Sequence, residues 1–243
     1  MKKTNALLWI VLAIVFVFPL SASAGTSVQL HTEFDRDPGN QELFTATFEH
    51  FSTWDYGKNF FFIDFMGENN FQSEAGLIYF EYSYYFSLEK IFDWELPFDF
   101  ISDTYLAGQY NDGDKESIDR ALLYGLSVDL DIGVDSLSLS FYYKDYDEGA
   151  DSYQATLCWT ENFKLFGSDF IFKGFADYWI SSDRQTFISE PQLKFPLSNL
   201  GFVKKGSFLD RSNIGTEIEI SHNFFGADYG WQVNPTIFWE FMF

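Results

Sequence analysis

The amino-acid sequence predicts an all-β protein, a single transmembrane up-and-down antiparallel β-barrel of about twelve strands, and three observations predict it. The first is the C-terminal segment. Trp231, Val233, Pro235, Ile237, Trp239, Phe241 and Phe243 fall on every second position. Gln232, Asn234, Thr236 and Glu240 fill the gaps, with Phe238 and Met242 as apolar exceptions. A period of two places the sets on opposite faces of a strand, one too apolar for water and one carrying a carboxylate. Hydrocarbon outside, a polar lumen inside and no unpaired backbone edge are what a closed membrane barrel requires.

The second observation is the N-terminus. Lys2 and Lys3 precede the uncharged run Ala6–Leu20, and Ala22-Ser-Ala24 forms a cleavage pattern. Residues 1–24 are therefore expected to be an export signal, leaving one domain at 25–243. The apolar run is shorter than the ~20 residues of a spanning helix, and no later stretch reaches that length without a charge. An exported chain that stays in a membrane then spans it by strands, and the expected location is the outer membrane. The third observation is composition: aromatics are 21% of the chain (Phe 31, Tyr 14, Trp 7), which suits a lipid-facing band with aromatic girdles. The mean hydropathy of −0.12 is near neutral because alternation conceals the apolar half of each strand.

Segments with strand pattern follow one another between Gly, Pro, Asn and Asp clusters. They are Val28–Phe34, Glu42–Phe51, Asn59–Met66, Ala75–Leu88, the weak Thr104–Tyr110, Ala121–Ile132, Val134–Tyr143, Ser152–Thr160, Asp169–Ile180, Gln185–Phe195, Asn213–His222 and the final strand. The sixth and seventh form a hairpin around Gly133, and Pro191 marks an interruption or bulge in the tenth. Acidic, turn-rich connections (Asp35–Gln41, Gly67–Glu74, Asn111–Asp119, Asp145–Asp151, Ser181–Arg184 and Phe225–Gly230) alternate with the rest. With both termini on the periplasmic side, these six all face outward, as an even strand count demands. Glu89–Asp103 and Pro196–Arg211 are then the long connections of the opposite rim, and the first could fold under the barrel as a plug.

Alternation assigns an inward set that includes Glu49, Asp64, Glu81, Asp129, Lys173, Asp177, Glu217, Glu219 and Glu240, with Phe60, Phe62, Phe175, Tyr79, Tyr85 and Tyr142 on the same face. Acids outnumber bases there. Such a pore admits neutral or cationic solutes and excludes anions, and rings beside carboxylates could stack a nucleobase, worth about 1–3 kcal/mol. The bland alternative is that inward Glu, Ser and Thr only hydrate the lumen or pair with Lys173.

The segments Phe44-Thr-Ala-Thr-Phe-Glu-His-Phe51 and Asp55-Tyr-Gly-Lys-Asn-Phe-Phe-Phe-Ile-Asp64 resemble the early hairpin of the nucleoside-specific channel-forming outer-membrane (Tsx-type) family. Gly125-Leu-Ser-Val-Asp-Leu-Asp-Ile-Gly-Val-Asp-Ser-Leu-Ser-Leu-Ser140 resembles its central hairpin, and Phe172-Lys-Gly-Phe-Ala-Asp-Tyr-Trp179 is a further match. The resemblance implies a monomeric twelve-stranded barrel that passes nucleosides, with Glu49 and Asp64 as lumen acids and Phe60 and Phe62 as stacking rings. The chain departs from that family in shorter loops and in lacking its N-terminal segment.

Other functions are weighed on the same residues. Removing Lys2 and Lys3 leaves 13 basic against 36 acidic residues, a net −23 that repels nucleic acid and phosphorylated solutes. The single Cys158 forbids an internal disulfide. A lipid-modifying hydrolase would need His31, His50 or His222 as its base, and the adjacent Ser221 and His222 point to opposite faces. No nucleophile elbow or metal-ligand spacing is present, so neither catalytic activity, cofactor nor metal is expected. The remaining alternative is a structural barrel with a plugged lumen. The expected partners are a nucleoside-like small solute, outer-membrane lipids and the barrel-assembly machinery through the strand ending in Phe243.

Overall fold

A computed structural model describes residues 23–37, 41–68, 77–94, 96–114, 120–147, 150–181, 184–224 and 230–243. The expected export signal lies outside them except for its last two residues, and so do all or part of the six acidic connections. The strands are β1 (Ser23–Arg36), β2 (Gln41–Trp54), β3 (Gly57–Glu68), β4 (Leu77–Ser87), β5 (Ile101–Gly113), β6 (Ala121–Leu130), β7 (Ser136–Tyr146), β8 (Ser152–Leu165), β9 (Ser168–Ser181), β10 (Arg184–Ser189), β11 (Gln192–Pro196), β12 (Ser212–His222) and β13 (Trp231–Met242), with a short helix α1 (Leu88–Phe92) after β4. Each strand pairs antiparallel with its neighbours, and β1 pairs with β13, so the sheet closes. Both β10 and β11 bridge β9 and β12, which makes them two halves of one wall position. The result is a closed twelve-stranded barrel with one strand divided. Closure satisfies every strand edge, the condition a chain must meet to cross hydrocarbon by strands. No helix among the described residues is long and apolar enough to cross a membrane.

The division of the tenth position falls at Glu190-Pro191, where a missing amide proton breaks the ladder. It is not the bulge that the sequence suggested. Ser189 and Gln192 pair with Ala176 and Lys173 on one side and with Ile220 and Glu217 on the other, three residues for three. Register passes through the proline unshifted. The weak segment at 104–110 proves to be part of a 13-residue strand, β5. Its outward residues Gly108 and Asp112 and its inward Ala107 obscure the apolar period. The hairpin at Gly133 is opened by a five-residue turn, Asp131–Asp135, in which Gly133 takes φ +88°, a conformation open to glycine without a Cβ penalty.

Alternation is visible in exposure. Along β13, Trp231, Val233 and Ile237 are 66%, 60% and 53% exposed, whereas Gln232, Asn234 and Thr236 are buried. Along β6, Leu122, Tyr124 and Leu126 are half exposed, and Leu123 between them is 0% exposed. The outer face is thus an apolar band with aromatic clusters, such as Trp54, Tyr84 and Phe86 near the rim that carries both termini.

Candidate functional site

The candidate site is the bore, and contacts between strands that are not neighbours define it, because such contacts can only cross the interior. Lys173 Nζ on β9 donates to Glu49 Oε1 on β2 at 2.6 Å, across five positions of the ring. Lys58 Nζ on β3 donates to both carboxylate oxygens of Asp129 on β6 at 2.6 Å, and Tyr105 on β5 donates to Oδ2 of the same group at 2.9 Å. Gln192 Nε2 on β11 donates to Gln29 Oε1 on β1 at 3.1 Å and to Glu217 Oε2 on β12 at 2.6 Å.

These contacts build two unlike walls. On the β9–β13 and β1–β2 side lies a polar lattice. Lys194 Nζ donates to Glu240 Oε1 at 2.5 Å, and the same carboxylate accepts from Asn213 Nδ2 at 2.6 Å and Gln29 Nε2 at 3.1 Å. The His31 ring stacks on Phe238 at 4.8 Å, and its Nε2 hydrogen-bonds with Gln29 Oε1 at 3.0 Å. Phe238 fits because Gly215 faces it: a Cβ there would lie 2.6 Å from Phe238 Cζ. Nearer the rim opposite the termini, the Arg36 guanidinium donates to Glu33 and Glu219, and Asn234 donates to Glu219 at 3.1 Å. Asp64 accepts from Thr47 Oγ1 at 2.6 Å.

On the β4–β7 side one patch of the interior is packed like a core, set among buried polar groups such as Gln109, Asn111, Ser127, Ser140 and Lys144. Ala107, Ala121, Leu123 and Tyr142 are each at most 2% exposed, with Tyr85 and Tyr146 against them. Tyr142 OH donates to Tyr85 OH at 3.4 Å. Between the walls stand Glu81, which accepts from Tyr79 OH and from Gln109 Nε2 at 2.9 Å, and Asp177, of which Oδ1 is buried with no hydrogen-bond partner. Phe60, Phe62 and Tyr79 form a row of rings with centroids 6.1 and 5.9 Å apart.

The inward residues expected from the sequence therefore fall into separate groups. Glu49 and Lys173 meet each other; Glu217, Glu240 and Glu219 belong to the polar lattice; Tyr142 belongs to the apolar pack. Phe60, Phe62 and Asp64 line β3 beside Glu81 on β4, and Asp177 faces them from β9. Lys173 is not the only inward base: Arg36, Lys58, Lys144 and Lys194 also face in, and each is held by a carboxylate or an amide oxygen. Parity would have found Lys58 and Lys144, since each lies two residues from an assigned inward ring, but not Arg36, because the register of β1 shifts between Glu33 and Arg36. The histidines lie apart from one another. His31 is inside, His50 faces out with Nδ1 2.8 Å from Thr26 Oγ1, and the His222 ring lies 4.8 Å from Trp231. No cluster of His, Cys, Asp and Glu able to hold a metal ion occurs among the described residues.

An edge-free wall, apolar outside and charged within, defines a membrane β-barrel of the outer-membrane kind. The chain belongs to the family described as a domain of unknown function, DUF5020, whose model matches residues 25–243. No curated protein matches the chain in sequence. Among solved structures, it is similar to the KdgM porin, at 7% identity and a TM-score of 0.51, covering 89% of this chain and 99% of that one. It is also similar to the outer-membrane protein Omp33 of Acinetobacter baumannii (10% identity, TM-score 0.42, covering 90% and 98%) and to OprB of Pseudomonas putida (6%, 0.40, covering 90% and 91%). At these identities the likeness is one of fold.

Proposed function

We propose that the protein is an outer-membrane channel through which small neutral or cationic solutes, nucleosides among them, pass down their gradient. The observation that carries this reading is the exposure of charged groups enclosed by the wall. Glu49 and Lys173, near the middle of their strands, have side chains 20% and 23% exposed. Side chains inside a closed barrel can keep that exposure only toward a water-filled bore. A plugged barrel would bury them as it buries Leu123.

The pathway follows the charged wall and the row Phe60, Phe62 and Tyr79, where a base can stack while ribose hydroxyls meet Asp64 and Glu81. The Lys173–Glu49 pair crosses this path, so a passing solute must displace it or squeeze beside it. Nucleoside selectivity rests on the hairpin resemblance and on this pairing of rings with carboxylates. The chain is read as monomeric and non-catalytic, exported by residues 1–24 and inserted through the strand ending in Phe243.

Conductance in planar bilayers and liposome swelling with nucleosides, sugars and amino acids test the reading. An open channel with cation preference is expected. Glu49→Gln should shift selectivity toward anions more than Asp64→Asn, because it also leaves Lys173 unpaired in the path. Absence of current at every voltage would establish the plugged barrel instead, and sugars permeating as fast as nucleosides would remove the specificity.

A further inference from the structure

Two long connections leave the rim that carries the termini, and both meet outward-facing side chains of the wall. The first runs from α1 to β5. Thr104 faces outward, between inward Asp103 and Tyr105, yet it is 3% exposed, and it shares a hollow of about 440 Å³ with Trp94, Leu96, Pro97 and Phe98. The segment covers the outer surface at the foot of β5 and turns other rings away: Phe92 is 70% and Phe100 51% exposed, and Phe98, which borders the hollow, is itself 50% exposed.

The second connection, 197–211, repeats the arrangement. Phe208 stacks on Phe241 at 4.7 Å and meets Trp239 at 5.4 Å, both on the outward row of β13. The Arg211 guanidinium lies 4.9 Å over Phe241, and Phe202 is 75% exposed. Placed between β4 and β5 and between β11 and β12, the two connections are six positions apart, on opposite sides of the ring. Their charges differ. The first carries Glu89, Asp93 and Asp99, whereas Lys204, Lys205 and Arg211 concentrate cations in the second, in a chain of net charge −21.

We infer that these connections are a pair of interfacial anchors, lying in the bilayer surface at that rim and fixing the depth and tilt of the barrel, with 197–211 selecting anionic phospholipid headgroups. Exposed rings contiguous with the lipid-facing rows of β5 and β13 fit the headgroup boundary, where aromatic side chains bury an apolar body and keep a wet edge. Lysines beside them meet lipid phosphates within a Debye length of the surface. The inference does not depend on conduction.

Spin labels at Phe92→Cys, Phe98→Cys and Phe202→Cys, each in a folded Cys158→Ser barrel, test it in phosphatidylcholine vesicles with and without phosphatidylglycerol. Power saturation with oxygen and a nickel chelate should show all three sites several-fold more shielded from nickel than a label at Asp93→Cys. Phosphatidylglycerol should deepen the label at 202 but not that at 98, and Lys204→Gln with Lys205→Gln should remove the difference. Nickel access equal to that at 93 would mean that the segments hang in water and would overturn the anchors. Shielding from both reagents would place them under protein and would overturn them too. Indifference of the label at 202 to phosphatidylglycerol would overturn the headgroup selection.

Discussion

Leu123 on β6 and Glu49 on β2 are equivalent by the alternation rule, since each faces the interior of the same barrel. One is sealed among Ala107, Ala121 and Tyr142, and the other is a fifth exposed and bound to a lysine across the bore. The comparison teaches that facing inward and facing water are separate properties. Parity along a strand decides the first. The second depends on which side chains the curvature of the wall brings together from strands far apart in sequence. Here a patch of the β4–β7 side fills its space with rings and methyl groups, as a small barrel does, and the opposite side carries a lattice of charged and amide groups.

The largest effect should come from splitting an ion pair where the polar wall is least hydrated. Lys194 and Glu240 have side chains only 3% and 4% exposed. Lys194→Met leaves the Glu240 carboxylate with the neutral donors Asn213 and Gln29, and breaking a buried pair in this way costs roughly 3–5 kcal/mol. Urea unfolding of the barrel in lipid vesicles measures it. A loss below about 1 kcal/mol would mean that water reaches Glu240, and the polar wall would then be wet throughout. On the other side, Leu123→Ala removes buried methyl groups from a packed region and should cost about 3 kcal/mol. A cost near zero would show that the packed wall yields to solvent, and the contrast between the two walls would disappear.

Much of this architecture was legible in the primary structure. Period-two patterning in β6, β7 and β13 is strong because the outer rows are Leu, Phe, Tyr and Trp, and the alternating acidic connections fixed which ends lie together. β5 was faint because Gly108 and Asp112 face out, where an apolar residue would have marked the period. The bore was legible residue by residue and opaque as a site. Nothing local to Lys173 or Glu49 indicates that strands five positions apart approach within hydrogen-bonding distance; closure and shear of the whole wall set that approach. Reading acids before bases also gave a lumen more negative than the one found, although the lysines lay on the same parity. The apolar patch at Leu123 went unrecognised because the outer row of β6 carries similar residues, so only the neighbouring strands distinguish its two faces.

The smallest expected effect sharpens the contrast from the packed side. Tyr142 is 2% exposed, and its hydroxyl reaches Tyr85 OH at 3.4 Å, long for a hydrogen bond between hydroxyls. If that patch is held by ring packing, Tyr142→Phe keeps nearly all of the contact area and loses only the hydroxyl's contacts with Ser140 and Tyr85, at about 1 kcal/mol. The same urea titration reads it beside Leu123→Ala. A Tyr142→Phe cost equal to that of Leu123→Ala would show that a polar network, rather than packing, holds the β4–β7 side. The two walls would then differ in degree of hydration and not in kind, because a hydroxyl worth that much must be exchanging strong hydrogen bonds within the patch that Ala107, Ala121 and Leu123 otherwise fill by packing.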